Sequence, residues 1–227
     1  MPDERLQKRT NNMKYLICFV LCFLLSSTGT AQNNPNQFNI LLKTGDLLFC
    51  NSTSGELSKA IDQATQKGNE THFDHVGIVE IRNDTVWVHN AAPKKGVCCE
   101  TIEQFLTSDK EKITTTIYRL KDNYLKAIPS AIANAHSLLG QPYNYTYIIK
   151  DQGHYCSEYI YEIFAADSVF SLNPMSFKNP KTGQFISGWV DHYQKLGIPI
   201  PEGEPGCNPN GMAASDKLEM IGEVKFK

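Results

Sequence analysis

Asp74-His75-Val76-Gly77-Ile78-Val79-Glu80-Ile81, followed across Arg82-Asn83-Asp84 by Thr85-Val86-Trp87-Val88-His89-Asn90, is the stretch from which the fold is read. Each half is a short run of β-branched and aromatic residues. A polar tripeptide separates them, so the pair predicts a β-hairpin. Working outward, Gly45-Asp46-Leu47-Leu48-Phe49-Cys50 predicts a turn entering a buried strand, and Gly96 to Thr101 and Ile113 to Leu120 predict two more strands. Leu57, Ala60, Ile61 and Ala64 recur at helical spacing. Pro129 suits the first turn of a helix that carries Ile132, Ala135, Leu138 and Leu139 on one face and stops at Gly140. Cys156 to Ala166 and Phe185 to Leu196 repeat the helical pattern, the second stopped by Gly197. Ile198 to Gly211 holds four prolines and three glycines and predicts a long irregular loop. Leu218 to Phe226 predicts a returning edge strand. Helices and hairpin-spaced strands are interspersed, which predicts an α+β fold with an antiparallel sheet packed against helices.

The chain begins with a different kind of segment. Lys14 precedes an apolar run from Tyr15 to Leu25, and Ser26 to Ala31 is small and polar, with Gly29 and Ala31 placed for cleavage. This is the layout of a secretory signal, and the run falls short of the roughly 20 apolar residues a spanning helix needs. Residues 1–31 are therefore expected to be a signal peptide, cleaved near Ala31 with export. Residues 32–44 are expected to be an exposed leader, and 45–227 a single domain without stable membrane insertion. The formal charge of −2 over 227 residues argues against a general nucleic-acid binder. Removal of residues 1–31 takes away four basic side chains (Arg5, Lys8, Arg9, Lys14) and two acidic ones (Asp3, Glu4), leaving a more acidic chain. Cys50, Cys98, Cys99, Cys156 and Cys207 remain, and an odd count in an exported chain leaves one thiol unbridged.

Cys156 stands at the start of a predicted helix, where unpaired N–H groups and the helix dipole favour a thiolate. His75 heads the first hairpin strand and His89 ends the second. Paired strands would bring imidazole and orienting group together, and with the thiol they would make a nucleophile, a base and an orienter. On the residues alone, two satisfied histidines and a structural cysteine remain the other reading. A zinc site from His72, Asp74, His75 and Cys156 is the weaker reading, because His72 and His75 would point differently and no Cys-x-x-Cys or His-Glu-x-x-His motif is present. No metal or cofactor is expected.

Four segments in order resemble the YiiX-type permuted papain-like hydrolases, relatives of the NlpC cell-wall peptidases and of lecithin retinol acyltransferase. They are Gly45-Asp46-Leu47-Leu48-Phe49, Asp74-His75-Val76-Gly77-Ile78-Val79, Gly140-Gln141-Pro142-Tyr143-Asn144-Tyr145 and Tyr155-Cys156-Ser157-Glu158. The histidine precedes the cysteine, which is the mark of circular permutation. The resemblance implies a permuted papain-like, NlpC-type fold with Cys156 as nucleophile and His75 as general base. The third position matches His89 in the acyltransferase branch; many YiiX-type members instead have a Glu just before an Ala, and by that alignment Asn90 takes the place. His89 is expected in that position, because strand alternation lets only one of the two neighbours face His75. The N–H of Cys156 and a hydroxyl from Tyr143 or Tyr145 are the expected oxyanion or substrate contacts. The implied function is a cysteine amidase or peptidase acting through an acyl-enzyme on small amides, such as cell-wall peptide or N-acyl amino compounds. A lipid-directed acyl hydrolase or acyltransferase, and a non-catalytic module that retains the cleft, are the alternatives. Disulfide pairing and oligomeric state are not readable from the sequence.

Overall fold

The computed structural model describes residues 40–51, 55–66, 72–107 and 114–224. The expected signal peptide and the leader up to residue 39 lie outside them. Five strands carry most of the architecture: β1 (Leu47–Asn51), β2 (His75–Arg82), β3 (Thr85–Ala92), β4 (Gly96–Thr101) and β5 (Thr114–Leu120). The pair β6 (Asn173–Pro174) and β7 (Pro205–Gly206) forms a small separate ribbon, and β8 (Leu218–Glu223) closes the main sheet. The sheet runs β4-β3-β2-β1-β5-β8, and every neighbouring pair is antiparallel. The predicted α+β class holds, and β8 is the edge strand expected from the C-terminal run.

Among the described residues six α-helices flank the sheet: α1 (Glu56–Thr65), α2 (Ile102–Leu106), α3 (Ile128–Ser137), α4 (Cys156–Ile163), α5 (Ser187–Leu196) and α6 (Pro209–Ala213). Pro129 falls in the first turn of α3, where a missing N–H costs nothing. Thr101 and Gln104 cap α2 reciprocally, and α5 ends on Gly197 at φ 69°, a left-handed stop that favours glycine. The Pro/Gly-rich stretch from Ile198 is not wholly irregular. It contains β7 and opens α6, whose first turn uses Pro209 and whose N-cap is Asn208.

The sheet is buried on both faces. On one side Leu47, Phe49, Val76 and Ile78 pack with Tyr159, Ile160 and Ile163 of α4 and with Ala131 and Ala135 of α3. On the other, Leu48, Cys50, Val79, Val88 and Ile117 pack with Ile102 and Phe105 of α2. That two-sided burial explains why β1 reads as a continuous apolar run rather than an alternating one. Leu42, inside the leader expected to be exposed, is buried in this second core, although Leu41 beside it is exposed.

Asp46 anchors the entry to β1. Its carboxylate is buried and accepts from Arg119 through Nε at 2.7 Å and a terminal nitrogen at 2.8 Å, and from the Lys43 N–H at 2.7 Å. The acid of the Gly-Asp-Leu-Leu-Phe segment thus ties β1 to β5.

Candidate active site

Cys156 is the first residue of α4, and its side chain is buried. The sulfur lies 3.9 Å from the Asp74 carbonyl and receives a hydrogen bond from the Val76 N–H, so it rests against the backbone on both sides of His75. Helix α4 also packs along β2 and β3. Burial pushes the Cys156 thiol up to about 12, with the Asp74 carboxylate adding to the rise and the N–H groups of Ser157 and Val76 opposing it. Desolvation thus opposes the thiolate that the helix N-terminus favours.

His75 meets Asn90, not His89. Its Nε2 lies 3.2 Å from Asn90 Oδ1, and its ring packs on Phe105 with centroids 5.7 Å apart. The register accounts for the choice. Gly77 is paired with Asn90 and Ile78 with His89, so Asn90 shares the face of His75 and Gly77 while His89 points through the sheet. Gly77 is also sterically required, since a Cβ there would stand 2.7 Å from Val88 Cγ1 and 3.2 Å from Phe105.

The orientation of Asn90 is fixed from behind. Its Nδ2 donates to Glu100 Oε1 at 3.0 Å, and Glu100 in turn accepts from Lys95 Nζ at 2.6 Å. A carboxylate only accepts, so the amide nitrogen must face Glu100 and the amide oxygen must face His75. His75 Nε2 is then the donor to Asn90, which makes Nδ1 the basic nitrogen of the neutral ring.

A cavity of about 490 Å³ opens beside Cys156. Tyr147, Tyr155, Phe170, Met175, Phe177 and Trp189 give it an aromatic and apolar wall, and Asp74 shares the end held by Cys156. Asp74 is buried rather than turned to solvent. Neither tyrosine expected at the oxyanion lines this space. Tyr145 is exposed and its hydroxyl accepts from the Lys94 N–H at 2.9 Å, whereas the Tyr143 hydroxyl sits 3.4 Å from that of Tyr147.

Tyr147 is the tyrosine at the cavity, and the sequence reading missed it. Its φ of 58° is unusual for a bulky residue. Asn144 holds the turn, with Oδ1 accepting from the N–H groups of Thr146 at 3.0 Å and Tyr147 at 3.2 Å. The Pro142-Tyr143-Asn144-Tyr145 segment offered a clue, since asparagine side chains commonly organise the backbone two and three residues on. Asn144 Nδ2 also donates to Glu158 Oε2 at 3.1 Å, as does the Tyr155 N–H. Desolvation raises the Glu158 carboxyl to about 7.

Of the four residues of the zinc alternative, His72 is bound to Asp62 of α1, at 3.0 Å. Cys50, Cys98, Cys99, Cys156 and Cys207 are all unbridged.

Comparison with known proteins places this geometry in context. The family model described as "Permuted papain-like amidase enzyme, YaeF/YiiX, C92 family" matches residues 41–222. The protein YiiX of Escherichia coli strain K12, itself described as uncharacterized, is 29% identical over 123 residues, covering 54% of this chain and 57% of its own length. The chain thus spans little more than half of that relative. The solved structure described as metalloprotein yiiX from Escherichia coli O157:H7, DUF1105, superposes with a TM-score of 0.63 at 21% identity, covering 82% of this chain and 98% of the other.

Proposed function

This chain belongs to the YaeF/YiiX family of permuted papain-like amidases, and from that membership we propose that it is a cysteine amidase with Cys156 as nucleophile, His75 as general base and Asn90 as the group that orients His75. The observation that carries the reading is the bond between His75 Nε2 and Asn90 Oδ1, made at the point where the Cys156 sulfur lies against the backbone flanking His75.

The burial of Cys156 favours one order of steps. The neutral thiol gives its proton to His75 Nδ1 as the sulfur attacks the amide carbon, because a free thiolate would be poorly solvated there. The carbonyl oxygen becomes an oxyanion near the N–H of Cys156, which belongs to the first turn of α4 and lies outside the helical ladder. The Tyr147 hydroxyl is the second donor we assign. Collapse breaks the C–N bond, and the imidazolium protonates the departing amine. Water then gives a proton to His75, attacks the thioester and releases the acid, and the proton returns to sulfur.

The apolar cavity favours an N-acyl compound over a cell-wall peptide, since a hydrophilic peptide gains little from aromatic and methionine walls. Each buried methylene is worth about 0.8 kcal/mol, or roughly fourfold in binding. A series of N-acyl amides of increasing acyl length should therefore show kcat/KM rising until the cavity is filled, with no turnover by Cys156→Ala. Cleavage confined to hydrophilic peptides would overturn the substrate assignment. Equal turnover by Cys156→Ala would overturn the mechanism.

The structural neighbour is described as a metalloprotein. In this chain Glu80, His89 and His136 form a donor set that fits an ion. An ion held there would tie structural elements together, and no step above depends on it.

A further inference from the structure

His89, displaced from the role first given to it, lies in a cluster on the opposite face of the sheet. Its side chain is fully buried, and its polar contacts gather at Nε2: Glu80 Oε2 at 2.9 Å and Cys99 Sγ at 3.6 Å. His136, from α3, brings its Nε2 to 3.1 Å from the same Glu80 oxygen, with its ring 4.7 Å from that of His89. The ligating atoms of Glu80, His89 and His136 all lie within 4.8 Å of one another.

We propose that Glu80, His89, His136 and Cys99 form a structural site for one divalent transition-metal ion of the zinc type. Two imidazoles, a carboxylate and a thiol are the mixed nitrogen, oxygen and sulfur donors that zinc takes in tetrahedral sites. The spacing also fits. Tetrahedral arms of about 2.0–2.1 Å to nitrogen or oxygen and about 2.3 Å to sulfur place two N/O donors about 3.3 Å apart and nitrogen and sulfur about 3.6 Å apart. The Glu80–His89 and Glu80–His136 separations of 2.9 and 3.1 Å need only small changes to close around an ion, whereas Cys99, 3.6 Å from His89 Nε2, stands outside that three-residue group and must turn toward it to become the fourth donor. With Cys99 turned in as the fourth donor no open position remains, which makes the site structural rather than catalytic.

The placement gives the ion a purpose. Glu80 belongs to β2, His89 to β3, Cys99 to β4 and His136 to α3, so one ion fastens three adjacent strands to the helix above them. Loading releases the Cys99 proton to solvent as the metal–sulfur bond forms. Arg82, whose guanidinium is 3.4 Å from Glu80 Oε2, opposes a cation and swings away on loading. Its side chain is partly exposed and can do so.

Chelator-stripped full-length protein titrated with Co²⁺ tests the assignment directly. Expected are one equivalent bound per chain, tetrahedral d–d absorption, a sulfur-to-cobalt charge-transfer band that Cys99→Ser removes, and a higher melting temperature. His136→Ala, made at a partly exposed position, should weaken binding by 100-fold or more while keeping the circular dichroism of the wild type. Cys156→Ala and His75→Ala should bind cobalt as the wild type does. Failure of the wild type to bind would overturn the proposal, as would retention of full affinity by His136→Ala or loss of cobalt in Cys156→Ala. These outcomes are independent of whether the amidase mechanism holds.

Discussion

Asn90 lies directly opposite Gly77 and two residues along the ladder from His75, and from that position its side-chain oxygen reaches His75 Nε2 at 3.2 Å. The contact exists because both side chains occupy one face of the hairpin and the intervening Gly77 has no side chain to block it. On this account Asn90→Ala lowers kcat by about 10²-fold with little change in KM, since the base loses its orientation while the acyl cavity is untouched. Steady-state kinetics on an N-acyl amide distinguish this from a loss of substrate binding, which would raise KM instead.

Tyr147 supplies a second kinetic test. Removing one oxyanion donor costs about 10²-fold or more in kcat. Tyr147→Phe keeps the ring on the cavity wall and is expected to show that loss with an unchanged melting temperature. An undiminished kcat would remove the hydroxyl from the mechanism.

The hairpin shows where the sequence could be read and where it misled. The strands β1 to β5 and the helices around Leu57, Pro129, Cys156 and Trp189 were legible because their apolar periods are strong. The choice between His89 and Asn90 was not, because it rests on one residue of register. With Arg82-Asn83-Asp84 taken as a three-residue separator, Ile81 opposes Thr85 and His89 falls on the face of His75. The actual turn is two residues long: Arg82 pairs with Thr85, while Asn83 and Asp84 take φ of 51° and 58°. That is the signature of a two-residue hairpin turn, to which Asn and Asp are suited. Counting it so moves every side chain of β3 to the other face and selects Asn90. Tyr147 was hidden for a different reason, since a left-handed turn held by Asn144 leaves no periodic trace. The cluster around Glu80 was equally hidden, because its members come from three strands and a helix.

Asp46 carries a stability prediction. Arg119 and Asp46 form a two-pronged pair with the carboxylate fully buried. Asp46→Ala strands the guanidinium and is expected to cost about 3–5 kcal/mol in urea unfolding. The double variant Asp46→Leu with Arg119→Met should cost less than the sum of the two single changes, because no uncompensated charge remains.

Glu158 predicts a pH dependence. Its folded carboxyl is raised to about 7 against an unfolded value near 4.5, so the folded state holds the extra proton between those values. Stability then falls as pH rises through this window. Its contribution is intact below about 4.5 and lost once pH passes about 7. Glu158→Gln keeps an oxygen for the Tyr155 and Asn144 N–H groups and removes the titration. The difference in unfolding free energy, wild type minus variant, should decline from pH 4.5 to 7 and then level. A flat difference would contradict the buried carboxyl.

The acyl-enzyme is the central claim, and intact-mass spectrometry of protein quenched in acid during turnover of an N-acyl amide tests it most directly. The expected result is a mass increase equal to one acyl group, mapped to Cys156 by tandem fragmentation, and absent from both Cys156→Ala and His75→Ala. An adduct that maps to another residue, or one that persists in Cys156→Ala, would contradict the account.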